Sequence, residues 1–143
     1  MASLTPRCVS SVGPPAEWPA GCEVSGIVEK RGAEVTELTV GDEVYGMLGM
    51  LGGGYAKYVV AAADNLGWKP ASLDHVQAAA LPVAALTAWE ALFEVGGLVA
   101  GQKVLIHAAA GGVGHIAVQL AKWRGVQVIG TASAGYTEEL VTV

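Results

Sequence analysis

Cysteine is scarce in this chain: Cys8 and Cys22 are its two thiols among 143 residues. They form no CxxC pair, and two are too few for a disulfide framework, so a reducing compartment is the natural setting. Basic charge is also short. Eight Lys and Arg stand against 13 Asp and Glu, a formal net charge of −5, which excludes nucleic acid or an anionic membrane as the main partner, because both need a basic face. Long apolar runs are lacking too. The longest, residues 78–91, is interrupted by Pro82, Thr87 and Glu90 and falls short of the roughly 20 residues a membrane span needs. No apolar stretch follows Arg7, so no signal peptide is expected. These absences together predict a soluble, cytoplasmic protein.

What is present is a core-forming composition. Hydrophobic residues make up 52% and charged residues 15%, far from a disordered chain. Twenty glycines point to many turns and close backbone approaches. The length suits one ordinary domain or two incomplete ones.

Residues 1–20 hold four of the six prolines (Pro6, Pro14, Pro15, Pro19) without a hydrophobic period and read as an irregular leader. From Gly21, Val24 and Gly26-Ile27-Val28 suggest a strand, and Val40-Gly41-Asp42 a turn running into a second strand through Val44 and Tyr45. Gly52-Gly53-Gly54 requires a loop. Tyr55 to Val60 has the aromatic and β-branched content of a third strand, with Tyr55 and Tyr58 expected to pack. Short strands separated by turns predict a small antiparallel barrel or sandwich over about residues 21–68. After Pro70 the pattern becomes helical. Ser72 and Asp74 are candidate caps for a short helix from His75 to Ala80, with His75 expected at the surface, and Val83 to Glu94 predicts a second helix that Gly96-Gly97 stops.

The segment with chemical content follows. Lys103-Val104-Leu105-Ile106-His107 is a short apolar strand signal, then comes Ala108-Ala109-Ala110-Gly111-Gly112-Val113-Gly114. Val113, Ile116, Ala117, Leu120 and Ala121 recur at helical spacing, Gly125 closes the helix, and Val126 to Gly130 reads as another strand. Strand, glycine turn, helix, strand is the context in which a dinucleotide pyrophosphate is bound. The glycines let the backbone turn and approach the phosphates, and free amides at the helix start supply hydrogen bonds and partial positive charge. The alternative is a tight turn of the same shape with no ligand. An acid about 20 residues beyond the glycines usually selects NAD by binding the ribose hydroxyls. That place holds Thr131-Ala132-Ser133, which tolerates a 2′-phosphate and favours NADPH. His107 could touch cofactor but is expected in a packed or hydrogen-bonded role, and His115 in the first helical turn could contact phosphate but is expected exposed.

Several further blocks stand in a fixed order: Glu23 to Val28, Val40 to Gly46, Gly53 to Val60, Ala78 to Pro82, Leu86-Thr87-Ala88-Trp89, His107 to Gly114 and Ala117 to Lys122. Through them the chain resembles the medium-chain dehydrogenase/reductase superfamily, in its zinc-free quinone oxidoreductase (ζ-crystallin-like) branch. The resemblance implies an α/β fold: a partial GroES-like β-rich substrate domain over residues 21–80, then the first βαβ unit of a Rossmann fold over 81–143. It implies an NADPH-dependent reductase of quinones or activated alkenes acting by hydride transfer. Gly111, Gly112, Val113 and Gly114, with Ala110, would bind pyrophosphate. Ser133 would lie near the adenosine ribose phosphate, Thr87 would approach the nicotinamide, and Tyr45 would border the substrate cleft. No catalytic acid or base is nominated, because the cofactor supplies the hydride.

Zinc-dependent relatives carry a Gly-His-Glu ligand motif that corresponds here to Gly21-Cys22-Glu23. No second ligand stands at matching spacing and the structural four-cysteine run is absent, so no metal is expected and Cys22 reads as a small buried hydrophobe. Family members run to more than twice this length, and the resemblance stops at Gly21 on one side and Ser133 on the other. The strands of the nucleotide unit are therefore expected to expose apolar surface, to be covered in a homo-oligomer or by a complementary segment. Two other functions stay open: a non-catalytic product or interaction module, and an enoyl reductase domain of polyketide type.

Overall fold

The computed structural model describes residues 2–6, 20–49 and 52–133. It divides into two compact units, residues 1–83 and 84–143.

The first unit is an antiparallel sheet of five strands: β1 (Ala2–Pro6), β2 (Glu23–Arg31), β3 (Glu43–Met47), β4 (Val59–Ala61) and β5 (Leu66–Trp68), in the order β4-β1-β2-β3-β5. β2 sets the pattern. Its alternation turns Val24 and Val28 to one face, where they meet Val35, Leu38, Val44 and Ala61 in the buried core. Ser25 alternates to the other face, and it too is fully buried, because α1 (His75–Ala79) packs against β2 and β3. Asp74 starts α1 with a reciprocal capping box: its carboxylate accepts from Gln77 N at 2.8 Å, and the Gln77 side chain accepts from Asp74 N at 3.0 Å. Two orphan amides are satisfied at once, which lets a helix of five residues hold.

Three expectations for this unit are corrected. The leader is not irregular throughout: Ala2–Pro6 is a strand between β2 and β4, made by long-range pairing that no local periodicity announces. Residues 7–19 of that leader lie outside the described residues. The strand expected from Tyr55 begins only at Val59, and Tyr55 and Tyr58 are exposed. The amides of Gly53, Gly54 and Tyr55 are spent on the carbonyls of Ala20 and Gly21, so this stretch is bound into a loop before the ladder starts. His75 is no free surface residue. Its side chain is 14% exposed and touches Ser25 and Glu43.

In the second unit, α2 (Pro82–Trp89) starts on the boundary and gives way to a π-helical turn over Glu90–Val95. The sequence suggests one uninterrupted helix here, but Gly96 N bonds Ala91 O at 3.1 Å, a five-residue reach that widens the last turn. The core of the unit is β6 (Lys103–Ile106), α3 (Gly112–Trp123) and β7 (Gln127–Gly130). β6 and β7 are parallel, with Val104 opposite Val128 and Ile106 opposite Gly130. α3 buries Ile116, Ala117, Val118 and Ala121. Gly125, with φ +77°, ends the helix in the left-handed conformation that favours glycine. Leu105 and its register partner Ile129 are 54% and 57% exposed, the bare apolar surface that two half-covered strands were expected to show.

Candidate dinucleotide-binding turn

The turn between β6 and α3 is built by backbone contacts. The chain leaves β6 at Ile106, and Ala108 takes φ +51°, which reverses its direction. Ala108 O accepts from Gly111 N at 2.8 Å. Beyond the strands the parallel ladder continues into the turn: Thr131 N bonds Ile106 O at 3.0 Å and Ala109 N bonds Thr131 O at 2.9 Å. The end of β7 and the glycine turn are thus tied together.

The glycines have separate jobs. A Cβ on Gly114 would lie 2.1 Å from Ala108 O and 2.8 Å from Ala109 Cα, so no side chain fits between α3 and the turn. A Cβ on Gly112 would meet nothing within 4 Å. Gly112 therefore answers to no packing demand of the described residues, and it leaves open the space in which a ligand can come close to the backbone. Gly111 starts the helix in an extended conformation with no side-chain cap, so the helix opening is not closed by the protein's own oxygens. These features fit a pyrophosphate: an uncapped helix N-terminus, a bare glycine and a turn fixed in advance. A cleft of about 550 Å³ adjoins the turn and is lined by Ile106, His107, Gly111, Gly112, Leu92 and Ala88 among others.

Of the residues singled out in the sequence, Ala110, Gly111, Gly112, Val113 and Gly114 come together in this turn and the first turn of α3. Ser133 is exposed three residues after β7. Thr87 is exposed on α2. Tyr45 belongs to the first unit, half-buried on β3. His107 is exposed, with Nδ1 3.1 Å from Thr131 Oγ1, and His115 is exposed with Nδ1 3.0 Å from Gly111 O. The second contact places an exposed imidazole beside the helix start, as expected from its position in the first helical turn.

Cys22 is exposed, not buried. It precedes β2 and borders a cleft of about 430 Å³ with Tyr55, Val76 and Ala79. Its carbonyl, not its thiol, is engaged, by Leu48 N at 2.7 Å. Glu23 beside it accepts from Val83 N at 2.8 Å, capping the start of α2 from the sheet. Among the described residues no three His, Cys, Asp or Glu gather in a metal-binding cluster.

Known proteins resemble this chain in sequence and in fold. Residues 5–71 match the alcohol dehydrogenase GroES-like domain. The chain is 45% identical over 122 residues to the phenolphthiocerol synthesis polyketide synthase type I Pks15/1 of Mycobacterium bovis, covering 85% of this chain and 6% of that protein. It is 41% identical over 121 residues to the quinone oxidoreductase of Sus scrofa, covering 85% of this chain and 36% of that one. Among solved structures, the CurK enoyl reductase aligns at 36% identity with a TM-score of 0.83, over 88% of this chain and 37% of that one. The Escherichia coli quinone oxidoreductase complexed with NADPH aligns at 29% identity with a TM-score of 0.84, over 99% of this chain and 47% of that one. The chain thus spans less than half the length of each of these relatives. Residues 5–71 thus match the alcohol dehydrogenase GroES-like domain, and over most of its length the chain is similar in sequence and fold to quinone oxidoreductases and to an enoyl reductase.

Proposed function

We propose that this chain serves an NADPH-dependent oxidoreductase that reduces a quinone or an activated alkene by hydride transfer. One observation carries the reading: the helix N-terminus opens on Gly112, whose missing side chain no packing contact explains. The nicotinamide cofactor supplies the hydride when bound. The chain's own residues bind and orient. The amides around Gly111, Gly112, Val113 and Gly114, with Ala110, hold the pyrophosphate. Ser133 lies toward the adenosine ribose phosphate, where the absence of a carboxylate from Thr131-Ala132-Ser133 supports NADPH over NADH. Thr87 faces the nicotinamide and Tyr45 borders the substrate. The chemistry is zinc-free in this reading, in which Gly21-Cys22-Glu23 stands where zinc-dependent relatives carry Gly-His-Glu. A cytoplasmic setting is part of the same proposal; no helix among the described residues is long and apolar enough to cross a membrane. A second copy or a complementary segment covers the exposed pair Leu105 and Ile129.

The second reading, an enoyl reductase domain of a polyketide synthase, is favoured by the 45% identity to the Mycobacterium bovis synthase. The two share the cofactor and differ in the acceptor, a quinone against an enoyl thioester.

Titration with NADPH and NADH tests the shared part. Trp123, on α3 and 67% exposed, reports binding by fluorescence. Saturation with NADPH bound about tenfold or more tighter than NADH supports the site. A folded chain that binds neither holds the glycine turn as a structural turn alone, and the catalytic reading falls. Oxidation of NADPH with a simple quinone or with an enoyl thioester then separates the two enzymes.

A further inference from the structure

The carboxylates of this chain are unevenly placed. Residues 95–137 hold none of its 13 Asp and Glu, but carry Lys103, Lys122, Arg124 and two of the three histidines. A chain with a formal net charge of −5 thus keeps one long stretch without negative side chains, and that stretch contains β6, α3 and β7. Within it His107 and Thr131 meet. Each is exposed and stands just beyond the carboxyl end of its strand, one step past the last ladder pair, Ile106 opposite Gly130. His107 Nδ1 lies 3.1 Å from Thr131 Oγ1, and His107 lines the cleft that Gly111 and Gly112 also border. The carboxyl ends of parallel strands are where α/β sheets take their ligands.

A carboxylate at the end of the second strand binds the ribose hydroxyls of NAD and repels a 2′-phosphate. Thr131-Ala132-Ser133 removes that repulsion, but removal alone gives NADPH no contact of its own. The imidazole provides one. Its Nδ1 is engaged with Thr131, and its Nε2 has no hydrogen-bond partner among the described residues. The Thr131 hydroxyl can turn either way. When it donates to Nδ1, the ring hydrogen sits on Nε2, which is then a donor. A phosphate oxygen accepts from that N–H in a charge-assisted bond, about twice as strong as the neutral bond a ribose hydroxyl would make. With the opposite tautomer Nε2 only accepts, so a bound phosphate selects the first.

We propose that His107, held by Thr131, is a specificity-determining residue that donates to the 2′-phosphate of NADPH. The inference rests on the NADPH reading above and adds to it an attractive contact in place of a missing repulsion. The other cations of the stretch stand elsewhere. Lys103 begins β6, and Lys122 and Arg124 lie at the far end of α3, which leaves the two histidines as its basic side chains at this edge. His115 belongs to the opening of α3, with Nδ1 3.0 Å from Gly111 O, where the backbone amides serve the pyrophosphate. His107 is tied instead to the strand whose end reads the ribose, so its effect falls on the nucleotide that carries the extra phosphate.

The test measures binding of NADPH and of NADH to the full chain and to His107→Phe, which keeps a ring and removes both nitrogens. NADPH should bind the variant about tenfold more weakly and NADH within about twofold of the unchanged chain, so the preference between them collapses. Thr131→Val, which leaves Nδ1 without its partner, should weaken NADPH about threefold, whereas Thr131→Ser keeps the hydroxyl and should bind as the unchanged chain does. A readout on the unchanged chain needs no folded variant: the His107 Nε2 resonance should move on adding NADPH and stay in place on adding NADH. A preference for NADPH that survives in His107→Phe, whether or not both nucleotides weaken, overturns the inference and leaves the NADPH site standing. So does an unchanged chain that holds NADH as firmly as NADPH. If the unchanged chain binds neither, the NADPH reading itself falls and takes the inference with it.

Discussion

The two units put their stability and their chemistry in different places. The largest fully buried side chains, Val24, Val28, Val44 and Ser25, all belong to the first unit, where five strands share one core. Among its described residues the second unit has two strands, α3 and the helical segment that α2 begins, and its apolar pair Leu105 and Ile129 stays in water. Yet the second unit holds the glycine turn proposed to take a phosphate. A well-buried sheet can tolerate a lost contact, whereas the βαβ unit depends on the few points where its backbone segments touch.

That contrast can be broken most forcefully at Gly114. Gly114→Ala places a methyl 2.1 Å from Ala108 O, and backbone cannot give way as a side-chain tip can. The second unit should lose about 3 kcal/mol, read as early melting in the fluorescence of Trp89 and Trp123, while Trp68 on β5 reports an unchanged first unit. The reciprocal change is Val44→Ala in the first unit. It removes a fully buried side chain and should cost about 2 kcal/mol, seen by Trp68 and not by Trp89 or Trp123. If either variant melts both sets of tryptophans together, the units fold as one and the contrast fails.

Gly112→Ala sharpens the picture with a smaller effect. The new methyl meets no neighbour and helix propensity improves, so stability should hold within about 1 kcal/mol. NADPH affinity should still fall about tenfold, because the methyl occupies the space proposed for the pyrophosphate. Unchanged affinity would mean the phosphates lie elsewhere. Asp74→Ala is expected to act least. It opens the capping box of α1 and should cost about 1 kcal/mol, measured as faster amide exchange at Gln77 and Ala78 with no change in cofactor binding.

How much of this was legible in the sequence follows the same division. The β6–turn–α3–β7 segment is local: its periodicities, glycines and short strands lie within 28 residues, Lys103 to Gly130, and reading along the chain was enough. The first unit depends on distant pairing. β1 is a strand because β2 and β4 lie on either side of it, and nothing in Ala2 to Pro6 says so. The Tyr55 to Tyr58 stretch has strand composition, but Ala20 and Gly21 take its neighbouring amides first. His75 looked like a surface residue because its partners, Ser25 and Glu43, stand 50 and 32 positions away. Cys22 looked buried by composition alone, and its place before β2 puts it at a cleft. The roles of Thr87, Ser133 and Tyr45 come from family resemblance, and their neighbours among the described residues neither add to nor subtract from it.

Ala108 carries a last consequence. It holds a left-handed φ of +51° without being glycine, at a cost of about 1 kcal/mol, and is kept there by the carbonyl contact to Gly111 and the tie between Ala109 and Thr131. The conformational entropy of the turn is thus lost during folding, before any anion arrives. A ligand meeting such a turn has little left to order, so its binding rate should be set by diffusion and orientation, with differences in affinity among nucleotides appearing in how slowly each one leaves.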